Sequence, residues 1–354
     1  MSKNKFSVSN IKDIFIKILL VLFIPLIIIT SGELFLRFIT SGAIYLSESN
    51  PHYLDNMGWV RLKPNTNNWW YGCSYKINKS GFRMTHDVSK NNIFRILAIG
   101  DSITLGMGVK RTSDVWPSRL ESMINAYRFE PVEVINSGVQ GWNLLKYDKK
   151  NNLVPGEFTD FVRDYGRKIH PNIILYCICL NDIPTQVQTI YQSENANNKA
   201  RFKLFSEGQR EWFKRKAIYR LFRDGYRELR FRKLDYSKIT SASISNEVFE
   251  AAQAELTSLN RVARSMGAKL YCIIVPYSFQ LLTKNRELLR VNIALQGALG
   301  SSDVSFIDIT SFMDEKTVLK YYALGDYIHL NSLGHKLIAQ KAFDLIKDEL
   351  NNLR

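Results

Sequence analysis

From residue 93 onward, short apolar runs alternate with longer stretches in which apolar residues recur at helical spacing. The runs IFRILAIG (93–100), VEVIN (132–136), NIILYCICL (172–180), AKLYCIIVP (268–276) and VSFIDI (304–309) read as strands. NIILYCICL is apolar without alternation, as expected of a parallel strand covered on both faces. DVWPSRLESMINAY (114–127) reads as a helix, and VFEAAQAELTSLNRVARSMG (248–267) as a second one closed by its glycine. A last helix starts near Asn331 or Ser332 and runs through LGHKLIAQKAFDLIKDEL (333–350). Strands alternating with helices predict a parallel, three-layer α/β/α sandwich, doubly wound.

The amino-terminal pattern is of another kind. Ile14 to Ile29 is apolar except for Lys17, and apolar character resumes in LFLRFI after Glu33. This length predicts a transmembrane signal-anchor over residues 13–39. Lys3, Lys5, Lys12 and Lys17 precede or open it, which keeps a tail of residues 1–12 in the cytoplasm and places the remainder outside, periplasmic or extracellular. A cleaved signal peptide is the alternative, with SGA (41–43) as its cleavage site. Residues 45–92 form a polar and aromatic preface, where CSYKIN followed by KSGFR predicts a short hairpin leading into a domain at 93–350.

Composition adds three points. A hydrophobic share of 45% in 354 residues is enough for a sizeable core. The net charge of +15 is concentrated: between Lys199 and Lys238 there are fourteen basic side chains against five acidic ones, interleaved with Phe, Trp and Tyr. This lies in an insertion at about 186–245, between the third and fourth strands. A basic amphipathic helical segment suits an anionic membrane surface or the mouth of an active site, or else forms a solvated lid packed on the domain. Nucleic acid is a poor partner, because the domain is expected outside the cytoplasm and carries no recognition motif. Four cysteines (Cys73, Cys177, Cys179 and Cys272) are too few for a disulfide scaffold and lack the spacing of a metal site.

Candidate chemistry begins where the first strand ends. GDSITLG (100–106) places an acid and a hydroxyl at the carboxyl end of a buried strand, where open α/β sheets bind their ligands. Asp101 or Ser102 could equally cap the next helix. A serine needs a base to take its proton, and there are five histidines. His52 and His86 fall in the preface, His170 ends a helix, and His335 lies inside the last helix, packed or exposed. His329 follows Asp326 by three residues, a spacing that lets a carboxylate return to the imidazole Nδ1–H. Oxyanion donors are offered by Gly138 and Gly141 in NSGVQGWN (136–143) and by the amide of Asn181 in CLNDI (179–183). Each alone is also an ordinary turn or strand end.

Taken in order, these blocks resemble the SGNH hydrolase superfamily, the GDSL esterases and lipases, over about residues 93–185 and 248–350. The resemblance implies a mostly five-stranded, flavodoxin-like sheet. It implies Ser102 as nucleophile, with His329 and Asp326 completing a catalytic triad. Gly141, Asn181 and the Ser102 N–H would form the oxyanion hole, with no metal or organic cofactor. The implied activity is serine-dependent hydrolysis of an acyl ester, on an O-acylated cell-surface or exported glycan or on a lipid. The same residues would serve an O-acetyltransferase, which would require a multi-spanning acyl-transport partner. A non-catalytic glycan-binding or scaffold protein is the third reading.

Overall fold

The computed structural model describes residues 8–41, 52–70, 73–90, 93–128, 130–184, 219, 226, 244–282, 289–324 and 326–352. The predicted basic insertion lies almost entirely outside them; Tyr219 and Tyr226 are its described residues, both helical.

Helix α1 (Val8–Ser41) contains the segment expected to span a membrane, with Pro25 inside it. Its side chains from Leu19 to Leu22, and Phe35, are exposed apolar groups. Among the described residues, however, no helix is long and apolar enough to cross a membrane.

The preface forms two antiparallel pairs, β1 (His52–Leu54) with β2 (Val60–Leu62) and β3 (Thr66–Trp70) with β4 (Cys73–Ile77). The hairpin therefore joins CSYKI to the strand before it. Toward KSGFR there is a single bridge, Ile77 to Arg83. Asn78 explains the difference, because its Oδ1 accepts the N–H groups of Ser80 and Phe82 and bends the chain there.

The main sheet is parallel and follows the predicted runs closely. In chain order it comprises β5 (Phe94–Gly100), β6 (Val132–Asn136), β9 (Ile173–Cys179), β10 (Lys269–Val275) and β11 (Ser305–Asp308), with a small hairpin of β7 (Leu145–Tyr147) and β8 (Leu153–Pro155) between β6 and β9. Their spatial order is β11-β10-β9-β5-β6. Counted along the sheet strands this is the 2-1-3-4-5 flavodoxin-like order. Register places Ile96 between Val134 and Ile173, and Ile273 between Cys177 and Ile307. The central strand β9 is buried at every position, which is why its sequence does not alternate.

A short helix α2 (Ser102–Leu105) follows β5, and α3 (Trp116–Tyr127) precedes β6. On one face α3 packs beside the last helix; on the other the helix before β10 packs against both a helical run at 158–169 and the helix before β11. These are α4 (Asn246–Ser265), α5 (Arg290–Ser301) and the last, α6 (Ser332–Asn351). Ser245 caps α4 through its hydroxyl, and Asn331 caps α6 by accepting from Leu333 and Gly334. The four cysteines are buried, and no disulfide joins them.

Candidate active site

The sheet order reverses between β5 and β9, and their carboxyl ends open the crevice where such sheets bind ligands. At the end of β5, Gly100 has φ +150°. A Cβ there would lie 2.2 Å from Thr104 Oγ1 and 2.8 Å from the Cys177 carbonyl oxygen, so the chain can fold α2 back over the strand only with glycine. Asp101 then caps α2, its Oδ1 accepting the Ile103 N–H at 2.8 Å. Capping and presentation are both satisfied: Asp101 ends the strand as a cap, and Ser102 is the first residue of the helix, 5% exposed.

The partner of Ser102 comes from the loop before α6. Its hydroxyl lies 2.9 Å from His329 Nε2, and His329 Nδ1 lies 2.7 Å from Asp326 Oδ2. The other carboxylate oxygen accepts the N–H groups of Ile328 at 2.8 Å and His329 at 3.0 Å. This network assigns the proton to Nδ1, which donates to Asp326, and leaves Nε2 to accept from the serine. Burial alone would raise the Asp326 pKa. The adjacent His329 ring, its Nδ1 hydrogen bond and the two backbone donors outweigh that and bring it down to about 2. Asp326 is therefore ionised throughout the working range.

The oxyanion candidates separate in the structure. Gly138 is buried against α2, and its N–H is donated to Asn136 Oδ1 at 3.1 Å. Gly141 lies in the following turn with φ +80°, exposed. Its N–H has no acceptor among the described residues. The Ser102 N–H belongs to the first turn of α2, where no intrahelical acceptor exists. Asn181 opens from the end of β9 and donates Nδ2 to Asp101 Oδ2 at 3.0 Å. That nitrogen has two protons, and serving an oxyanion requires the second. The next residue, Asp182, is buried and accepts from Tyr176 Oη and from the Cys179 N–H, both at 2.7 Å. Burial first, and then the Asp101 carboxylate, push the Asp182 pKa well above the ordinary range.

Two residues that support the site are invisible in the motifs. Arg83, fully buried, donates to the carbonyls of Leu105 and Gly106 at the end of α2, and to those of Ser74 and Val109. It thereby ties preface strand β4 to the helix that carries Ser102. His335 is also fully buried, and its Nδ1 accepts the Trp116 N–H at 3.0 Å, capping α3. The other three histidines that were set aside stay apart from Ser102: His52 lies in β1, His86 binds Glu121 and His170 ends the 158–169 run. Among the described residues no cluster of three or more His, Cys, Asp or Glu side chains is arranged to hold a metal ion.

Comparison with known proteins adds the following. Similar solved structures include the psychrotrophic esterase EstA from Pseudoalteromonas sp. (14% identity, 73% of this chain and 98% of that one, TM-score 0.41). A carbohydrate acetylesterase family member from Sinorhizobium meliloti is 13% identical over 73% of this chain and 100% of its own, with TM-score 0.43. An acetyl xylan esterase from Geobacillus stearothermophilus is 13% identical over 72% and 94%, with TM-score 0.39. No curated protein matches the sequence. Residues 98–337, which run from inside β5 into α6 and enclose Ser102, Gly141, Asn181, Asp326 and His329, match the GDSL-like lipase/acylhydrolase family. On that match, over two thirds of its length, the chain belongs to the GDSL-like lipase/acylhydrolase family.

Proposed function

We propose that the protein is a serine esterase that removes acyl groups, acetyl foremost, from an O-acylated glycan outside the cytoplasm. The observation that carries this reading is the unbroken relay Ser102–His329–Asp326, with links of 2.9 and 2.7 Å. Ser102 Oγ attacks the ester carbonyl while His329 Nε2 takes its proton, and Asp326 holds the ring and stabilises the imidazolium. The tetrahedral oxyanion is met by the N–H groups of Ser102 and Gly141 and by Asn181 Nδ2. Collapse breaks the ester C–O bond, and His329 returns the proton to the departing sugar hydroxyl. Water, deprotonated by the same Nε2, then attacks the acyl-serine and releases the carboxylic acid. The steps use side chains and backbone N–H groups of this chain together with one water molecule.

The exposed apolar side chains of α1 support a location at a membrane surface, with the lysines before it on the cytoplasmic side. The test is an intact-mass time course of the full chain with p-nitrophenyl acetate, with free acetate followed in parallel and Ser102→Ala as control. Rapid acetate release without an accumulating adduct, abolished in the variant, supports the esterase. A long-lived acetyl adduct on Ser102, discharged only by an added sugar acceptor, would make it a transferase instead. Full activity in Ser102→Ala would overturn both.

A further inference from the structure

The amide of Asn181 is the one oxyanion donor whose orientation the backbone does not dictate. Nitrogen and oxygen occupy nearly the same shape, so a half-turn of the amide would aim a lone pair at the oxyanion and replace attraction by repulsion. Two neighbours stand on either side of it. Asp101 Oδ2, an acceptor, takes a proton from Nδ2 at 3.0 Å, and the Cys179 Sγ lies against Oδ1 at 2.7 Å. A half-turn would set Oδ1 against the Asp101 carboxylate and Nδ2 against a thiol proton, so both contacts would become repulsive.

We infer that Cys179 is a positioning residue for Asn181: its thiol donates to Oδ1 while Asp101 accepts from Nδ2, and together they hold the nitrogen end of the amide toward Ser102. The inference rests on the oxyanion role given to Asn181 above. Cys179 is suited to this task. It is the last residue of β9, 1% exposed, with its own N–H held by Asp182 Oδ2 at 2.7 Å, which fixes the backbone that carries the thiol. Its Sγ also lies 3.6 Å from Asp101 Oδ2, which keeps the three groups in one cluster. Burial first, then the carboxylates Asp101 and Asp182, push the thiol pKa well up. The sulfur therefore stays protonated and acts as a donor rather than as a thiolate that would repel Oδ1.

The test is a kinetic cycle with p-nitrophenyl acetate on the full chain, with the urea unfolding midpoint of every variant measured alongside. Asn181→Ala should lower kcat by about 10²–10³. Cys179→Ala, which deletes one modest hydrogen bond, should lower kcat about three- to tenfold at unchanged KM. Cys179→Ser, whose hydroxyl can donate to the same oxygen, should recover to within about twofold of the parent. Because Cys179 acts through Asn181, the double variant Cys179→Ala/Asn181→Ala should be no slower than Asn181→Ala alone. Additive losses, or a Cys179→Ser as slow as Cys179→Ala at the same unfolding midpoint, would show that Cys179 only fills space. A full-speed Cys179→Ala would overturn the positioning role while leaving the esterase reading intact. An undiminished Asn181→Ala would overturn the oxyanion role of Asn181 and this inference with it.

Discussion

Acidifying the protein from pH 7 to pH 5 should cost the fold about 2 kcal/mol through one side chain, His335. The imidazole lies in α6, fully buried, with Nδ1 accepting the N–H of Trp116 at 3.0 Å. That N–H opens α3, whose cap residue Val115 has no side-chain acceptor of its own. Protonation would put a hydrogen on Nδ1 facing that donor, inside a site that already holds Arg83 and Arg119. Burial first, then those two arginines and His329, lower its pKa to about 3. In the unfolded chain the same ring titrates near 6.5, so between pH 6.5 and pH 3 the unfolded state binds the extra proton. Stability from this group is whole above about 6.5 and is lost at about 1.4 kcal/mol per pH unit as the pH falls below it. At pH 5, 1.5 units below, that is about 2 kcal/mol. The assay is urea unfolding at pH 7, 6 and 5, comparing the parent with His335→Gln, whose amide oxygen can accept from Trp116 but does not titrate. The other histidines titrate in both proteins and cancel in the difference. Equal pH dependence in the two would refute the reasoning.

Further predictions follow from the same geometry. Asp326→Asn should lower kcat by ~10⁴ with little change in the unfolding midpoint, since an amide there favours the wrong imidazole tautomer; a loss below tenfold would show that the ring is held by other groups. Because Asp326 stays ionised down to about pH 2, the acid limb of kcat/KM should show loss to a single protonation; a second-order limb above pH 4 would contradict this. Gly100→Ala should reduce kcat at least about 10²-fold, because its Cβ would meet Thr104 and the Cys177 carbonyl and shift Ser102; normal kinetics would mean that α2 is not braced there. Arg83→Met should destabilise the fold by roughly 3 kcal/mol or more, measured in urea, as four carbonyls lose a buried donor. A change under about 1 kcal/mol would mean that water replaces the guanidinium.

The amino-acid pattern alone determined the five parallel strands, the helices α4 and α6, and the segments that end in Ser102, Asn181 and His329. Apolar runs, Asx and Ser caps and a closing glycine are local signals, each set by what one residue and its near neighbours lose or gain on leaving water. The same local signals did not distinguish a cap from a presented serine at Asp101–Ser102, and the structure shows that one turn accommodates both. Nor could they choose between Gly138 and Gly141. The choice is made by Asn136, which occupies the N–H of the first, and by α2, which packs against it. In α1 the apolar run was legible, and a helix forms over it. Arg83 and His335 carried no motif at all, and nothing in CLNDI set the thiol of Cys179 apart. Their roles arise from atoms that come together across 22 residues for Arg83 and Leu105, and 219 for His335 and Trp116. Which buried donor meets which buried acceptor is decided by the order of strands and the faces on which the helices pack. Periodicity records only whether a side chain avoids water, whereas the partner of a buried polar group is a property of the assembled fold.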